Sequence, residues 1–367
     1  MELNSKIFVA GHKGLVGSAI VANLSQKGYS NLVYRTLEEL DLRDQPAVDS
    51  FFAEEKPEYV FLAAAKVGGI LANSSFRAQF LFENLQIQNT VIHEAYLHGV
   101  KKLMFLGSSC IYPKDAQQPM NEEVLLTGPL EYSNEPYAIA KISGLKLCDS
   151  YNHQYGTNFI SVMPTNLFGY NDNYDLRNSH VLPALIRKLY LSRCLEENNF
   201  DAIRKDFIKY PQEGIHHSSS QPEFEKYLFS QGIIRSYNNG ISETTITLWG
   251  TGNPLREFLW SEDMADACVY LMENVDFANI VSIRQSLGYK EIKNTHINLG
   301  TGIELSIRDL AMMIKEIVGF SGKVVFDPSY PDGTPRKLLD VTRLHALGWQ
   351  HRVNLEDGIR RVFSRYI

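Results

Sequence analysis

Ser108 and Cys110 lie two residues apart, and Tyr137 and Lys141 lie four apart. These are the side chains whose types and spacing point most directly to chemistry. On a helix Tyr137 and Lys141 share a face. An ammonium there favours tyrosinate, depresses the phenol pKa and makes Tyr137 a proton donor or acceptor near neutrality. The same ammonium can hold a ribose, and Ser108 at the tip of a strand would donate a hydrogen bond to a substrate oxygen. Cys110 and His180 add a second kind of chemistry. A ketone acidifies the hydrogens on the carbons beside it. A thiolate on one side and an imidazole acid on the other would remove and return such protons with inversion, while Ser108 and Tyr137 stabilise the enolate at the carbonyl oxygen.

These residues need elements to position them, and the chain begins with one. A short apolar run, Lys6-Ile-Phe-Val-Ala10, stops at Gly11-His12-Lys13-Gly14-Leu15-Val16-Gly17, and an amphipathic run follows to residue 26. Strand, glycine turn and helix in this order form a dinucleotide-binding arrangement, in which the glycines let the backbone approach a pyrophosphate resting on the helix N-terminus. The next strand, 31–36, carries no acid at its end for a ribose 2′-hydroxyl. Arg35, helped by Lys13, would instead meet a 2′-phosphate, so NADP(H) is the expected cofactor. Asp41 and Leu42 form the turn flanking the adenine.

Apolar runs at 59–65, 102–107 and 158–163 alternate with helical stretches at 79–98 and 138–155, the rhythm of a parallel sheet covered on both faces. The fold class is therefore α/β: a doubly wound, Rossmann-type sheet, with a second, smaller α/β domain. Ligands of such sheets bind at the carboxyl ends of the strands, where Gly11, Ala64, Leu106, Gly107, Ser108 and Pro164 fall. Residues 1–167 form the expected cofactor domain, with segments near 257–272 and 296–300 returning to its sheet. Residues 168–256 and 301–367 form the expected substrate domain. Within it, 191–239 reads as a solvated helical excursion, with helices at 196–209 and 223–231. His216 and His217 are adjacent and lack an acid or cysteine at ligand spacing, so no metal is expected.

Composition limits the alternatives. The 367 residues are 44% apolar and 21% charged, with a net charge of −6 and no basic tract, which disfavours nucleic acid. No apolar run reaches membrane-span length, and the N-terminus shows no secretory pattern. The four cysteines lack CxxC pairing, so Cys148, Cys194 and Cys268 read as packing residues in a reducing, cytoplasmic protein.

The Ser, Tyr and Lys set after a glycine-turn start resembles the extended short-chain dehydrogenase/reductase superfamily. Gly107-Ser-Ser-Cys-Ile-Tyr-Pro113, Asn134-Glu-Pro-Tyr-Ala-Ile-Ala-Lys141, Val162-Met-Pro-Thr-Asn-Leu167, Asn178-Ser-His180, Trp249-Gly, Arg256-Glu-Phe and 331–340 resemble GDP-L-fucose synthases, across nearly the whole chain. The resemblance implies an NADPH-dependent 3,5-epimerase-4-reductase of a GDP-4-keto-6-deoxy sugar. It makes Cys110 the base, His180 the acid and Tyr137 the reductive proton donor, with Ser108 and Lys141 assisting. It adds Asn166 and Leu167 to the cofactor contacts, with Pro164 and His180. For the GDP-sugar it implies Ser108, Tyr137 and Asn166, with Arg187 at the diphosphate, Trp249 for packing, Arg256, and Asp332 at a hydroxyl. It further implies a homodimer through helices 79–98 and 138–155.

Two departures bear on this reading. The family's phosphate-reading arginine two residues after Arg35 is Leu37, and its glycine-loop arginine is Lys13. The excursion is about fifty residues longer than the usual connection, as in relatives acting on GDP-heptoses. A heptose C4 reductase or epimerase-reductase, and a non-catalytic NADP(H) sensor, remain as alternatives.

Overall fold

The computed structural model describes residues 1–238 and 241–367. The chain divides into two compact units: 1–171 with 257–303 and 337–354, and 172–256 with 304–336 and 355–367.

In the first unit the elements run β1 (Ile7–Ala10), α1 (Leu15–Gln26), β2 (Leu32–Val33), α2 (Gln45–Glu55), β3 (Tyr59–Leu62), α3 (Ile70–Ser75), α4 (Arg77–Leu97), β4 (Lys102–Leu106), α5 (Glu135–Tyr155), β5 (Phe159–Pro164) and β6 (Asn166–Phe168). The main sheet has six strands in the order β10-β5-β4-β3-β1-β2, where β10 is Ile297–Leu299. All five of its pairings are parallel. Strands β1, β4 and β5 are buried along their full length, as a sheet covered on both faces requires. The chain runs from β1 outward to β2 and then crosses back to place β3 on the other side of β1, so the strand order reverses between β1 and β3 and the carboxyl ends of those strands form the ligand-side edge.

Three expectations need correcting here. The second strand, expected at 31–36, is only Leu32–Val33, because Thr36 already accepts turn hydrogen bonds from Glu39 and Leu40. Segment 296–300 does join the main sheet, beside β5, but 257–272 does not. Its strand, in β9 (Leu255–Trp260), pairs with β6 outside that sheet, and α9 (Ser261–Asn274) follows and packs on α1. Segment 337–354, expected with the substrate domain, belongs to the first unit, where it contains α12 (Thr342–Ala346). Buried Arg343 holds it there by donating to the carbonyls of Asn294 and His296, the latter just ahead of β10. Helix α10 (Phe277–Ser286) completes this unit.

The second unit contains α6 (Val181–Glu196), α7 (Phe200–Lys209), α8 (Gln221–Ser230), β7 (Ile233–Asn238), β8 (Ile241–Trp249), β11 (Glu304–Ser306), α11 (Ile307–Val318), β12 (Lys323–Asp327) and α13 (Leu355–Tyr366), with β13 (Arg336–Lys337) at its boundary. The excursion is not solvated. Phe200, Ile203 and Phe207 of α7 and Phe224 and Leu228 of α8 are buried, and β7 pairs antiparallel with β8 in a sheet completed by β12. The excursion's expected last residue, Asn239, lies outside the described residues. Among the described residues no helix is long and apolar enough to cross a membrane.

Arg187 fastens the excursion to α6. It is 0% exposed, and its guanidinium donates to Asp206 of α7 through Nε (2.9 Å) and Nη2 (2.7 Å), to the Tyr174 carbonyl and to the Tyr210 carbonyl. Tyr366 of α13 donates to the other Asp206 oxygen. Arg187→Ala leaves the Asp206 carboxylate buried without its cation, which costs about 3–5 kcal/mol. Thermal denaturation should show a correspondingly large fall in Tm; an unchanged Tm would remove this fastening role.

Candidate active site

The cofactor cradle is built by close backbone approach. Gly11 has φ +87°, and a Cβ there would lie 2.7 Å from the Ala64 nitrogen; a Cβ on Gly17 would lie 2.2 Å from the Gly11 carbonyl oxygen. Only glycine fits either position. Helix α1 starts at Gly14 with no side-chain cap, so its first-turn N–H groups face the loop unspent, as a phosphate site needs. Gly11, His12, Lys13 and Gly14 line a cleft with Arg35, Thr36, Leu37 and Glu38. The His12 ring stacks on Tyr34 at 4.6 Å. Arg35 lines the cleft, but its guanidinium pairs with Glu55 at 2.6 Å and lies over the Phe51 ring. A 2′-phosphate would share Arg35 with that carboxylate.

Asp41 is held by Arg43, whose hydrogen bonds lower the carboxyl pKa, and Leu42 is buried beside it. Val16 lies in the first turn of α1, after Leu15. Pro164 ends β5, and Asn166 and Leu167 begin β6, with Asn166 Nδ2 donating to the Glu257 carbonyl.

The reactive set forms where β4 ends. Leu106 closes the strand, Gly107 N–H donates to the Val162 carbonyl, and Ser109–Ile111 make one 3-10 turn capped by Ser108. Ser108 Oγ accepts from the Cys110 N–H at 3.3 Å, which leaves its own proton free for a substrate oxygen. Cys110 is 8% exposed. Helix α5 brings Tyr137 and Lys141 to the same place. Lys141 is 3% exposed, its Nζ donates to the Leu106 carbonyl at 2.8 Å and lies 5.6 Å from the Tyr137 ring centroid.

The electrostatics run opposite to the expectation for this pair. Desolvation raises the Tyr137 phenol, and charge on Cys110 raises it further; desolvation lowers Lys141 to about 8, opposed by charge on Cys110. Lowering of the phenol by the ammonium, expected from the four-residue spacing, is not realised in the protein alone, because both groups are cut off from water.

His180 is the exposed N-cap residue of α6 in the second unit. In that unit Trp249, 62% exposed, stacks flat on Tyr330 at 4.6 Å. Asp332 accepts from the Thr251 N–H (2.9 Å) and hydroxyl (2.7 Å), which lower its pKa. Arg256, with its pKa lowered by desolvation and raised by Asp332, donates to the Leu255 carbonyl. Arg187 does not belong with them. Every nitrogen of its guanidinium is spent inside the protein, so it is not presented to a diphosphate.

Its neighbour, Lys188, is a candidate that sequence reasoning passed over. Lys188 has no hydrogen-bond or ion-pair partner for its ammonium among the described residues, and desolvation alone lowers its pKa. A half-buried cation without a counter-charge suits an absent anion. The sequence showed two consecutive cations; only the helical phase of α6 separates the fastened one from the available one.

Asp49, Glu94 and His98 bring three potential ligand atoms within 4.8 Å. Asp49 is already bonded to His98 at 2.7 Å, and Gln45 donates to Glu94, so the group braces α2 on α4. His216 and His217 are exposed, and His216 Nδ1 bonds Ser218.

A parallel sheet with a glycine cradle at one strand end and a Ser, Tyr and Lys set at another defines a dinucleotide-dependent enzyme of the short-chain dehydrogenase type. Residues 7–207 and 216–283 match the NAD dependent epimerase/dehydratase family. The chain belongs to that family and, within it, to the GDP-L-fucose synthases. It is 48% identical over 367 residues to a putative GDP-L-fucose synthase 2 of Arabidopsis thaliana, covering 100% of this chain and 93% of the relative. It is 45% identical to the GDP-L-fucose synthase of Escherichia coli K12, covering 99% of this chain and 96% of the relative. Among solved structures it is similar to a GDP-mannoheptose C4 reductase from Campylobacter jejuni with NADP bound, with TM-score 0.85, 45% identity and coverage of 100% of this chain and 99% of that one.

Lys141 gives a test of the site's electrostatics. Because its folded pKa lies below its unfolded value, the unfolded chain binds more protons between about pH 8 and 10.5, and folding stability rises with pH across that window. Below pH 8 the full cost of burying the charge is present. The stability difference between Lys141→Met and the parent, followed by denaturant titration, should shift in the parent's favour as pH rises from 8 to 10. A pH-independent difference would contradict a depressed Lys141.

Proposed function

We propose that this chain is an NADPH-dependent enzyme that epimerises a GDP-4-keto-6-deoxy sugar at C3 and C5 and then reduces its C4 ketone. The observation that carries the reading is the placement of a buried thiol, Cys110, in the turn capped by Ser108, beside the Tyr137 and Lys141 pair. One carbonyl then serves both stages. Polarised by Ser108 and Tyr137, it acidifies its neighbouring carbons, and later it accepts hydride. Cys110 acts as the base and His180 as the acid. Tyr137 donates the proton that completes reduction, and Lys141 supports it and the nicotinamide ribose.

NADP(H) supplies the hydride. Its pyrophosphate rests on Gly11 to Gly17 and the start of α1, with Arg35 and Lys13 toward the 2′-phosphate. Lys188 takes the diphosphate role that the family resemblance implied for Arg187. Trp249, Arg256 and Asp332 contact the GDP-sugar. The protein works in the cytoplasm as a homodimer through α4 and α5, which leave Phe82, Leu97, Ile139 and Tyr155 exposed.

A second reading, reduction at C4 of a GDP-heptose, is favoured by the similarity to the Campylobacter jejuni GDP-mannoheptose C4 reductase at 45% identity. Product analysis with hexose and heptose substrates separates the two.

Without NADPH, incubation with the 4-keto sugar in deuterium oxide should place deuterium at C3 and C5, read by NMR. Cys110→Ser should lose this exchange while still reducing substrate supplied already epimerised. Absence of deuterium at both C3 and C5 would leave a C4 reductase alone.

Lys188→Ala should weaken GDP-sugar binding about tenfold or more, the loss of one charge-assisted contact of about 1.5–3 kcal/mol, with little change in Tm. Undiminished affinity in a binding titration with GDP would return the diphosphate to another cation.

A further inference from the structure

Tyr112 follows Cys110 by two residues and closes its 3-10 turn. The side chain is 3% exposed, and its hydroxyl lies 2.5 Å from Asn298 Oδ1 and 2.9 Å from His296 Nε2. A phenol has one proton to give. Asn298 Nδ2 donates to the carbonyls of Met120 and Asp340, each at 3.0 Å, which fixes Oδ1 as an acceptor. Tyr112 therefore donates to Asn298, and the bond to His296 must be donated by the ring. His296 is the neutral tautomer with its proton on Nε2. Its Nδ1 has no partner among the described residues, and burial together with the nearby cations Arg343, Lys146 and Arg284 keeps the ring uncharged. Asn298 is held in turn, since its N–H donates to buried Glu122.

We propose that this directed series of hydrogen bonds, His296 to Tyr112 to Asn298, sets the position of the Cys110 thiol, making Tyr112, Asn298 and His296 positioning residues for proton transfer at the carbons beside the ketone. The inference rests on the function proposed above. Ser108 sits one residue beyond Gly107, which is tied to β5, and Tyr137 and Lys141 ride on α5. Cys110 stands farther along the turn, where its downstream restraint is Tyr112, and the next residue, Pro113, has no N–H with which to replace it. Loosening Tyr112 frees the thiol before it disturbs the groups that bind the carbonyl oxygen.

The test uses Tyr112→Phe, His296→Leu and His296→Gln in the full chain, each confirmed folded by thermal melting and gel filtration. Deuterium incorporation beside the ketone should fall about tenfold or more in Tyr112→Phe and His296→Leu, as expected for a group displaced by a fraction of an ångström to about 1 Å. NADPH oxidation with pre-epimerised substrate should stay within about threefold. His296→Gln, whose amide can still donate to Tyr112, should recover part of the exchange. Equal loss of exchange and reduction, or no loss of either, overturns the proposal.

A second arm does not depend on the reaction. Alkylation of Cys110 by iodoacetamide, located by peptide mass mapping, should speed up several-fold in Tyr112→Phe, and an unchanged rate also overturns the proposal. Absence of exchange in the parent protein, with faster alkylation in the variant, would fail the functional reading and leave the positioning role standing.

Discussion

The ammonium of Lys141, 3% exposed and held by the carbonyl of Leu106, joins the last residue of β4 to the second turn of α5. The approach is close because α5 carries Gly144 against β4. A Cβ at that position would lie 2.4 Å from the Phe105 ring and 2.8 Å from Gln88 Oε1. Helix α4 contributes to the same constraint, with Gln88 donating to the Ala140 carbonyl. The sheet, α4 and α5 are thus fitted around one buried cation. Tyr137, one turn before it, and Ser108, two residues beyond Leu106, take their positions from that fit. The cost of burying the charge is visible in a pKa brought down to about 8, and a cofactor hydroxyl near Nζ would offset part of it.

The second half of the protein follows a different rule, in which a buried charge pair assembles helices far apart in the chain. Arg187 on α6, Asp206 on α7 and Tyr366 on α13, with the carbonyls of Tyr174 and Tyr210, satisfy one another. A buried pair of this kind contributes specificity of packing more surely than net stability. It converts a charge-rich insertion into an ordered part of its unit, with Phe207 and Phe224 in contact beneath it. The neighbouring Lys188, one residue along the same helix, keeps its ammonium unpaired among the described residues. One helix thereby separates an architectural cation from an available one.

A third arrangement links the turn at Cys110 to sequence that arrives much later. Tyr112, Asn298, Glu122 and Arg343 connect the segment after Cys110 to β10 and to residues 337–354. This explains why a stretch near the C-terminus belongs to the first unit. The chain returns to brace the turn that carries Cys110, and it does so through buried polar groups, where an unmade hydrogen bond is costly.

Local chemistry was legible in the sequence. The glycine cradle, the alternation of apolar runs with helices, and the Ser, Cys, Tyr and Lys set are written in short windows, because strand periodicity, turn geometry and helical spacing are local properties. The sequence by itself therefore determined the parallel sheet, the glycine cradle at its edge and the grouping of Ser108, Cys110, Tyr137 and Lys141. What it could not determine depended on partners distant in the chain. Arg187 looked like an anion contact until Asp206 and two carbonyls enclosed it, and excursion 191–239 looked solvated until its aromatic residues met. Segment 257–272 looked like a return to the main sheet until β9 paired with β6. The phenol of Tyr137 was expected to be acidified by Lys141, but a pair fixed four residues apart says nothing about how much water reaches it. Desolvation is a property of the folded surroundings, and it decided the sign.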